Sequence, residues 1–243
     1  MDAAGIAREY QRLRPELTTF LTRLVVRADV AEELAQTVAV KALEAVDSAP
    51  ADPAELRPWL FRIASNLAID ERRRHGSWRE SLMLDAREVA EGRPEFVEKA
   101  VALRGSPEVK AIAREHLVVC FSCTLGQLGP EQAVSLLLKE VYGFTTEAVA
   151  DIVRARFAQV KNWIQEARSV MAEKYNGTCA LIRKGGVCHQ CVELDEFFGA
   201  GQGNPLAGTD GSMTVRLKVL QNYSARAVGP WHAELMQIFG ELN

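Results

Sequence analysis

The chain has 243 residues, 48% hydrophobic and 25% charged, the composition of an ordinary globular protein with room for two small domains. Lys and Arg number 29 against 32 Asp and Glu, a net charge of −3. This excludes coating nucleic acid through bulk charge and confines phosphate neutralisation to local patches. No run approaches the ~20 apolar residues of a membrane span. Met1-Asp2-Ala3-Ala4-Gly5 lacks the basic start and apolar core of a secretory signal, so a cytoplasmic location is expected.

Helical periodicity dominates, without a run of alternating strand pattern, and the expected fold class is all-α. The first block, about residues 7–46, carries Leu13, Leu17, Phe20, Leu21 and Leu24 at helical spacing. Pro50 and Pro53 interrupt it, because each proline fixes φ and removes a backbone donor. Pro58 suits the first turn of the next helix. There Leu60, Ile63, Ala64 and Leu67 stand at i, i+3, i+4 and i+7, one buried stripe, with Trp59, Arg62 and Asn66 on another face. Arg72, Arg73, Arg74 and His75 put cations at the negative end of the helix dipole, and Gly76 stops it.

Residues 76–105 are charged and weakly patterned and read as a linker with some helix. Ser106-Pro107-Glu108 offers a cap and a proline for a helix reaching about Gln127, before Gly129-Pro130. A helix over 131–142 follows, with Val134, Leu137, Leu138 and Val141 on one stripe and Gly143 closing it. Thr145 caps a short helix, and Phe144 and Val149 are placed to form a hydrophobic staple. After a break near Arg154-Ala155, the next helix shows Phe157, Val160, Ile164, Ala167 and Met171 on one side.

These last two helices and their tight turn have a helix-turn-helix pattern. Away from the apolar stripe stand Arg156, Gln159, Lys161, Asn162, Gln165 and Arg168. Lys and Arg bond guanine edges or phosphates, and Asn and Gln bond adenine edges. Over 154–174 the basic residues Arg154, Arg156, Lys161, Arg168 and Lys174 outnumber Glu166 and Glu173, a positive patch on an acidic chain. An antiparallel helix pair with a solvated charged face has the same pattern.

The tail differs in composition. Residues 175–198 hold three cysteines, 199–211 read as a flexible loop, and two short helices are expected near 213–225 and 229–242. Four of the five cysteines form C-x-x-C pairs, Cys120/Cys123 and Cys188/Cys191, with Cys179 apart. An odd count in a cytoplasmic chain favours metal or redox chemistry over a disulfide scaffold. His116, Cys120 and Cys123 share a helical face. Zinc takes four Cys or His ligands in a tetrahedron. Cys120, Cys123, Cys188 and Cys191 could supply them and pin the tail down, with Cys179, His116 and His189 in reserve; another thiophilic metal fits the same donors. Alternatively, Cys120 and Cys123 are small core residues.

Read together, two segments resemble a known family. Pro58-Trp59-Leu60-Phe61-Arg62-Ile63-Ala64-Ser65-Asn66-Leu67-Ala68-Ile69-Asp70-Glu71-Arg72-Arg73-Arg74 resembles region two of the extracytoplasmic-function group of sigma-70 factors. Leu128-Gly129-Pro130-Glu131, Gly143-Phe144-Thr145-Thr146-Glu147, Val160-Lys161 and Ala167-Arg168 resemble region four. Ala31-Glu32-Glu33-Leu34-Ala35-Gln36 is similar to the segment that grips the polymerase clamp helices. The resemblance covers about residues 8–172.

It implies an alternative sigma factor without enzymatic activity, which binds core RNA polymerase and promoter DNA, with an anti-sigma protein as a further candidate partner. The implied plan is two helical domains on a flexible linker: region two over 1–76, linker 77–105, region four over 106–174 and a cysteine-containing regulatory extension over 175–243. The resemblance assigns Glu33, Leu34 and Gln36 to the polymerase clamp. It assigns the loop Ser48–Arg57, with Asn66, to a flipped-out base of the minus-10 element. Trp59 and Arg62 would support that site, and Arg72, Arg73 and Arg74 would meet phosphates. Lys161, Asn162, Trp163 and Gln165 would face the minus-35 element, with Arg156 and Arg168 beside them. Thr37, Arg154, Trp163 and Glu166 depart from the family's usual residues. The tail is similar to the cysteine-rich C-terminal domains of metal-responsive sigma factors. A stand-alone helix-turn-helix regulator leaves residues 58–74 unexplained, and a thiol or zinc enzyme lacks the strand pattern or motif it needs.

Overall fold

A computed structural model of the chain describes residues 2–76, 82–103, 120–122, 124–175, 212–218, 220, 237–238 and 241–242. Among them every regular element is a helix. α1 (Ala3–Val25) starts where the Asp2 carboxylate accepts the Gly5 N–H at 2.8 Å. It buries Ile6, Tyr10, Leu13, Leu17, Phe20, Leu21 and Leu24.

The block of helical spacing over 7–46 is two helices. α1 stops at Val26, whose φ is 62°, and α2 (Ala28–Glu44) packs along it. The Tyr10 hydroxyl ties the two by donating to the Ala35 carbonyl at 2.6 Å. A β-branched residue in that conformation is strained. Here burial of the Val26 side chain, and its N–H bonded to the Thr22 carbonyl, hold the turn.

α3 (Pro53–His75) begins earlier than the sequence suggested. Asp52 is the cap, its carboxylate accepting the Ala54 N–H at 2.9 Å, and Pro53 rather than Pro58 takes the first turn. Pro58 lies inside the helix, where it removes a single i to i−4 bond. The presumed loop Ser48–Arg57 is therefore a 3-10 turn (Val46–Ser48), a short connection and the opening of α3. α3 packs on α1 and α2 with one side.

The linker contains α4 (Leu82–Glu91) and α5 (Pro94–Leu103), which pack on each other. Residues 120–122 and 124–126 are helical, in keeping with the helix expected to reach Gln127. α6 (Pro130–Glu140) follows, with the Gln132 side chain accepting the Gly129 N–H at 3.1 Å. Gly143 supplies a φ of 73° in the turn to α7 (Thr146–Val153). The Thr145 hydroxyl caps α7 by accepting the Ala148 N–H at 3.1 Å, and Phe144 and Val149 are both buried. Arg154 sits in the left-handed region and leads through two residues into α8 (Phe157–Tyr175).

The other side of α3 packs on α6 and α7, so the two helical groups share one core. Phe20 and Phe61 from the first meet Tyr142 and Phe144 from the second, with centroids 5.2 to 5.4 Å apart in edge or tilted contacts. α9 (Met213–Lys218) packs on α6, and Leu217 and Leu220 are buried in the same core.

Candidate nucleic-acid and polymerase interface

α2 buries Ala31, Ala35, Val38 and Ala42, a stripe of small residues that lets α1 and α3 approach closely. The opposite face carries Glu33 and Gln36, both exposed, while Leu34 is half-buried against the core. That face continues into Val40 and Leu43, which are 54% and 43% exposed. Sequence reasoning stopped at Gln36. The signal it passed over is phase: Val40 and Leu43 are apolar yet fall outside the Ala31–Ala42 stripe.

On α3, Asn66 is exposed and Arg62 half-buried, but Trp59 is only 6% exposed and belongs to the core. Arg72 also departs from expectation. It is 5% exposed and donates to the main-chain carbonyls of Leu125, Gly126 and Leu128 at 2.8, 3.3 and 2.8 Å. It closes the C-terminal end of the helical stretch before α6, where carbonyls lack helical partners. In this arrangement it has no access to a phosphate. Burial lowers its pKa to about 10. Arg73 and Arg74 remain exposed, paired with Glu131 and Glu71 respectively.

Arg57, read as the end of a loop, is held from several sides. Its guanidinium bonds the Glu16 carboxylate through Nε at 3.1 Å and a terminal nitrogen at 2.5 Å, and the Tyr142 carbonyl at 3.3 Å. It also lies 5.1 Å from the Phe61 ring centre and 4.3 Å from that of Phe144. No sequence signal marked it, since its partners come from 41 and 85 residues away.

α8 presents Gln159, Lys161, Asn162 and Gln165 to solvent, as its periodicity required, and Arg156 is exposed just before its start. Trp163 is half-buried against the core. Arg168 turns inward instead of outward: it pairs with the buried Glu140 and reaches the Thr214 hydroxyl at 3.2 Å. Glu166 accepts from the Gln132 amide at 2.9 Å.

Of the thiols, Cys120 is half-buried, and its carbonyl accepts the Thr124 hydroxyl at 2.9 Å. Among the described residues no group of three or more His, Cys, Asp or Glu could hold a metal ion. Cys123, Cys179, Cys188, His189 and Cys191, with His116, lie outside the described residues. No described helix is long and apolar enough to cross a membrane.

Comparison with known proteins adds an independent line. The family Sigma-70 region 2 matches residues 9–77, which contain most of α1 and all of α2 and α3. Two relatives are 30% identical over 170 residues: the ECF RNA polymerase sigma factor SigG of Mycobacterium tuberculosis strain H37Rv and that of strain CDC 1551. The match covers 64% of this chain and 45% of each relative, so the chain spans less than half of their length. The three-helix group α1–α3 falls largely within the match to sigma-70 region 2, and over 170 residues the chain is similar to extracytoplasmic-function sigma factors.

Proposed function

We propose that the chain is an alternative sigma factor, which binds core RNA polymerase, recognises minus-35 and minus-10 promoter elements and starts transcription there. The observation that carries this reading is the match of residues 9–77 to region 2, in a fold whose α2 leaves Val40 and Leu43 uncovered beside Glu33 and Gln36. Covering an apolar side chain of that size contributes about 1.5–3 kcal/mol when burial is complete. A polar and apolar stripe of this kind suits a protein partner better than a phosphate backbone.

On α3, Asn66 and Arg62 are the side chains that meet the melted strand, with Arg73 and Arg74 releasing their carboxylate partners for phosphates. Their exposed ion pairs contribute little and exchange readily. Trp59 serves from within the core by fixing the helix beneath them. Lys161, Asn162 and Gln165 on α8, with Arg156 just before it, face the minus-35 element, a set with donors for guanine and paired donors and acceptors for adenine. Trp163 borders that face.

The tail adds regulation. Its thiols, Cys179, Cys188 and Cys191, with His189 and the pair Cys120/Cys123, form a zinc or redox site whose state alters how the tail sits on the two helical groups. Metal content of protein purified without oxygen, with and without Cys188→Ser and Cys191→Ser, reads this directly.

The main test is association of the purified full chain with core polymerase under reducing conditions, followed by run-off transcription. Specific transcripts that disappear with Asn66→Ala and Lys161→Ala together support the reading. A chain that never associates with core polymerase, whatever metal is supplied, ends it.

A further inference from the structure

Arg23, near the end of α1, is 1% exposed, yet it touches two distant parts of the chain. One terminal nitrogen reaches the Tyr142 hydroxyl at 3.4 Å, and the guanidinium carbon lies 5.8 Å from the centre of that ring. The other donates to the main-chain carbonyl of Leu220, 197 residues further along. One buried cation thus joins the first helical group, the turn between α6 and α7, and the C-terminal segment.

A second contact binds that segment from the opposite side. Arg168 of α8 pairs with Glu140, the last residue of α6, and donates to the Thr214 hydroxyl of α9. Between these polar ends Leu217 and Leu220 are fully buried in the shared core. A buried guanidinium cannot give up an oxygen partner cheaply, so the seat of α9 and Leu220 is set by both polar contacts and by the apolar side chains of Leu217 and Leu220.

We propose that α9 (Met213–Lys218), together with Leu220, is an internal clasp that holds the two helical groups shut on each other. While it is seated, Arg57 and Arg72 are engaged on intramolecular partners: Arg57 on Glu16, Phe144 and the Tyr142 carbonyl, Arg72 on the carbonyls of Leu125, Gly126 and Leu128. When it leaves, the interface between α3 and the pair α6/α7 is weakened, Arg72 becomes available for phosphates, and Arg57 keeps only its contacts with Glu16 and Phe61 inside the first group. The regulatory meaning of the clasp rests on the sigma-factor reading; the clasp itself does not. A partner that binds only the opened chain has its apparent affinity reduced by the opened fraction, so a chain 99% closed binds about a hundredfold more weakly than a released one.

The test uses the full chain and two substitutions, Leu220→Asp and Arg23→Gln, read by far-UV circular dichroism, small-angle scattering and affinity for core polymerase. Both variants should keep their helical signal, gain radius of gyration and bind core polymerase at least about tenfold more tightly. The double variant should add little beyond the stronger single, because both break one latch. Helical variants with the radius of the unaltered chain overturn the clasp. A larger radius without any polymerase binding, in the variants or the unaltered chain, leaves the clasp standing and removes the sigma-factor reading. If Leu220→Asp loses its helical signal, Arg23→Gln decides. Hydrogen exchange of the unaltered chain checks the result without substitution: amides of 213–220 must open no later than those of 142–144, and earlier opening of 142–144 overturns the proposal.

Discussion

The Arg57 guanidinium lies 4.3 Å from the centre of the Phe144 ring, which fastens the first turns of α3 to the turn between α6 and α7. The same group forms an ion pair with Glu16 of α1. A half-exposed cation over an aromatic face contributes about 0.5–1 kcal/mol, and a partly exposed ion pair up to about 1 kcal/mol. Arg57→Ala should therefore cost about 1–2 kcal/mol in urea unfolding. Arg57→Lys should recover the ion pair but not the planar stacking, and so only about half of the loss. Equal stability of Lys and Arg at this position would mean that the ring contact contributes nothing.

Arg72 and Arg74 are two residues apart and should behave in opposite ways. Arg72→Ala strands the carbonyls of Leu125, Gly126 and Leu128 in a buried setting, a loss of about 2–4 kcal/mol in thermal or urea unfolding. Arg74→Ala removes only an exposed pair with Glu71 and should shift stability by less than about 0.5 kcal/mol. Its effect should appear in nucleic-acid binding instead. Fluorescence anisotropy with single-stranded DNA over a salt series should show the slope reduced by about 0.7, the value for one lost phosphate contact. An unchanged slope removes Arg74 from the strand-binding surface.

Much of this arrangement could be read from the residues, and the exceptions share a cause. The cap at Thr145, the stop near Gly143 and the exposed face of Lys161, Asn162 and Gln165 follow from local chemistry and helical period, which act within a few residues. Val26 ends α1 with no glycine, asparagine or proline to announce it, because tertiary burial overrides propensity there. Pro53 and Pro58 compete as helix starters, and the Asp52 carboxylate decides for the first. Arg72 and Arg168 were read outward because they are cations near a helix end and on a polar helix face. Their partners, the carbonyls at 125–128 and Glu140, are set by contacts across the chain that no local pattern encodes.

Arg154 ends α7 with φ 53° and ψ 46°, a conformation that costs a residue with a side chain about 1–2 kcal/mol and glycine almost nothing. The side chain is exposed, so little packing is lost with it. Arg154→Gly should raise stability by about 1 kcal/mol, part of the relief being offset by the greater freedom of glycine in the unfolded chain. Thermal unfolding measures this. A drop in stability would show that the Arg154 side chain holds the turn by a contact worth more than the strain.

Tyr142 gives the chain an alkaline limit. Burial pushes its pKa up to about 12, from an ordinary value near 10. Between those values the unfolded chain has released the phenolic proton and the folded chain still holds it, so the unfolded state binds fewer protons. Stability from this group is complete below pH 10 and is lost as pH rises towards 12, at up to about 1.4 kcal/mol per pH unit. Arg72 acts with the opposite sign, because burial lowers its pKa to about 10 and the unfolded state keeps that proton to higher pH. The raw alkaline profile mixes the two, but Tyr142→Phe leaves Arg72 in place. The stability difference between unaltered chain and variant should be flat up to pH 10 and should shrink steadily above it. A difference that stays constant to pH 11.5 would place the Tyr142 hydroxyl in water and loosen its link to Arg23.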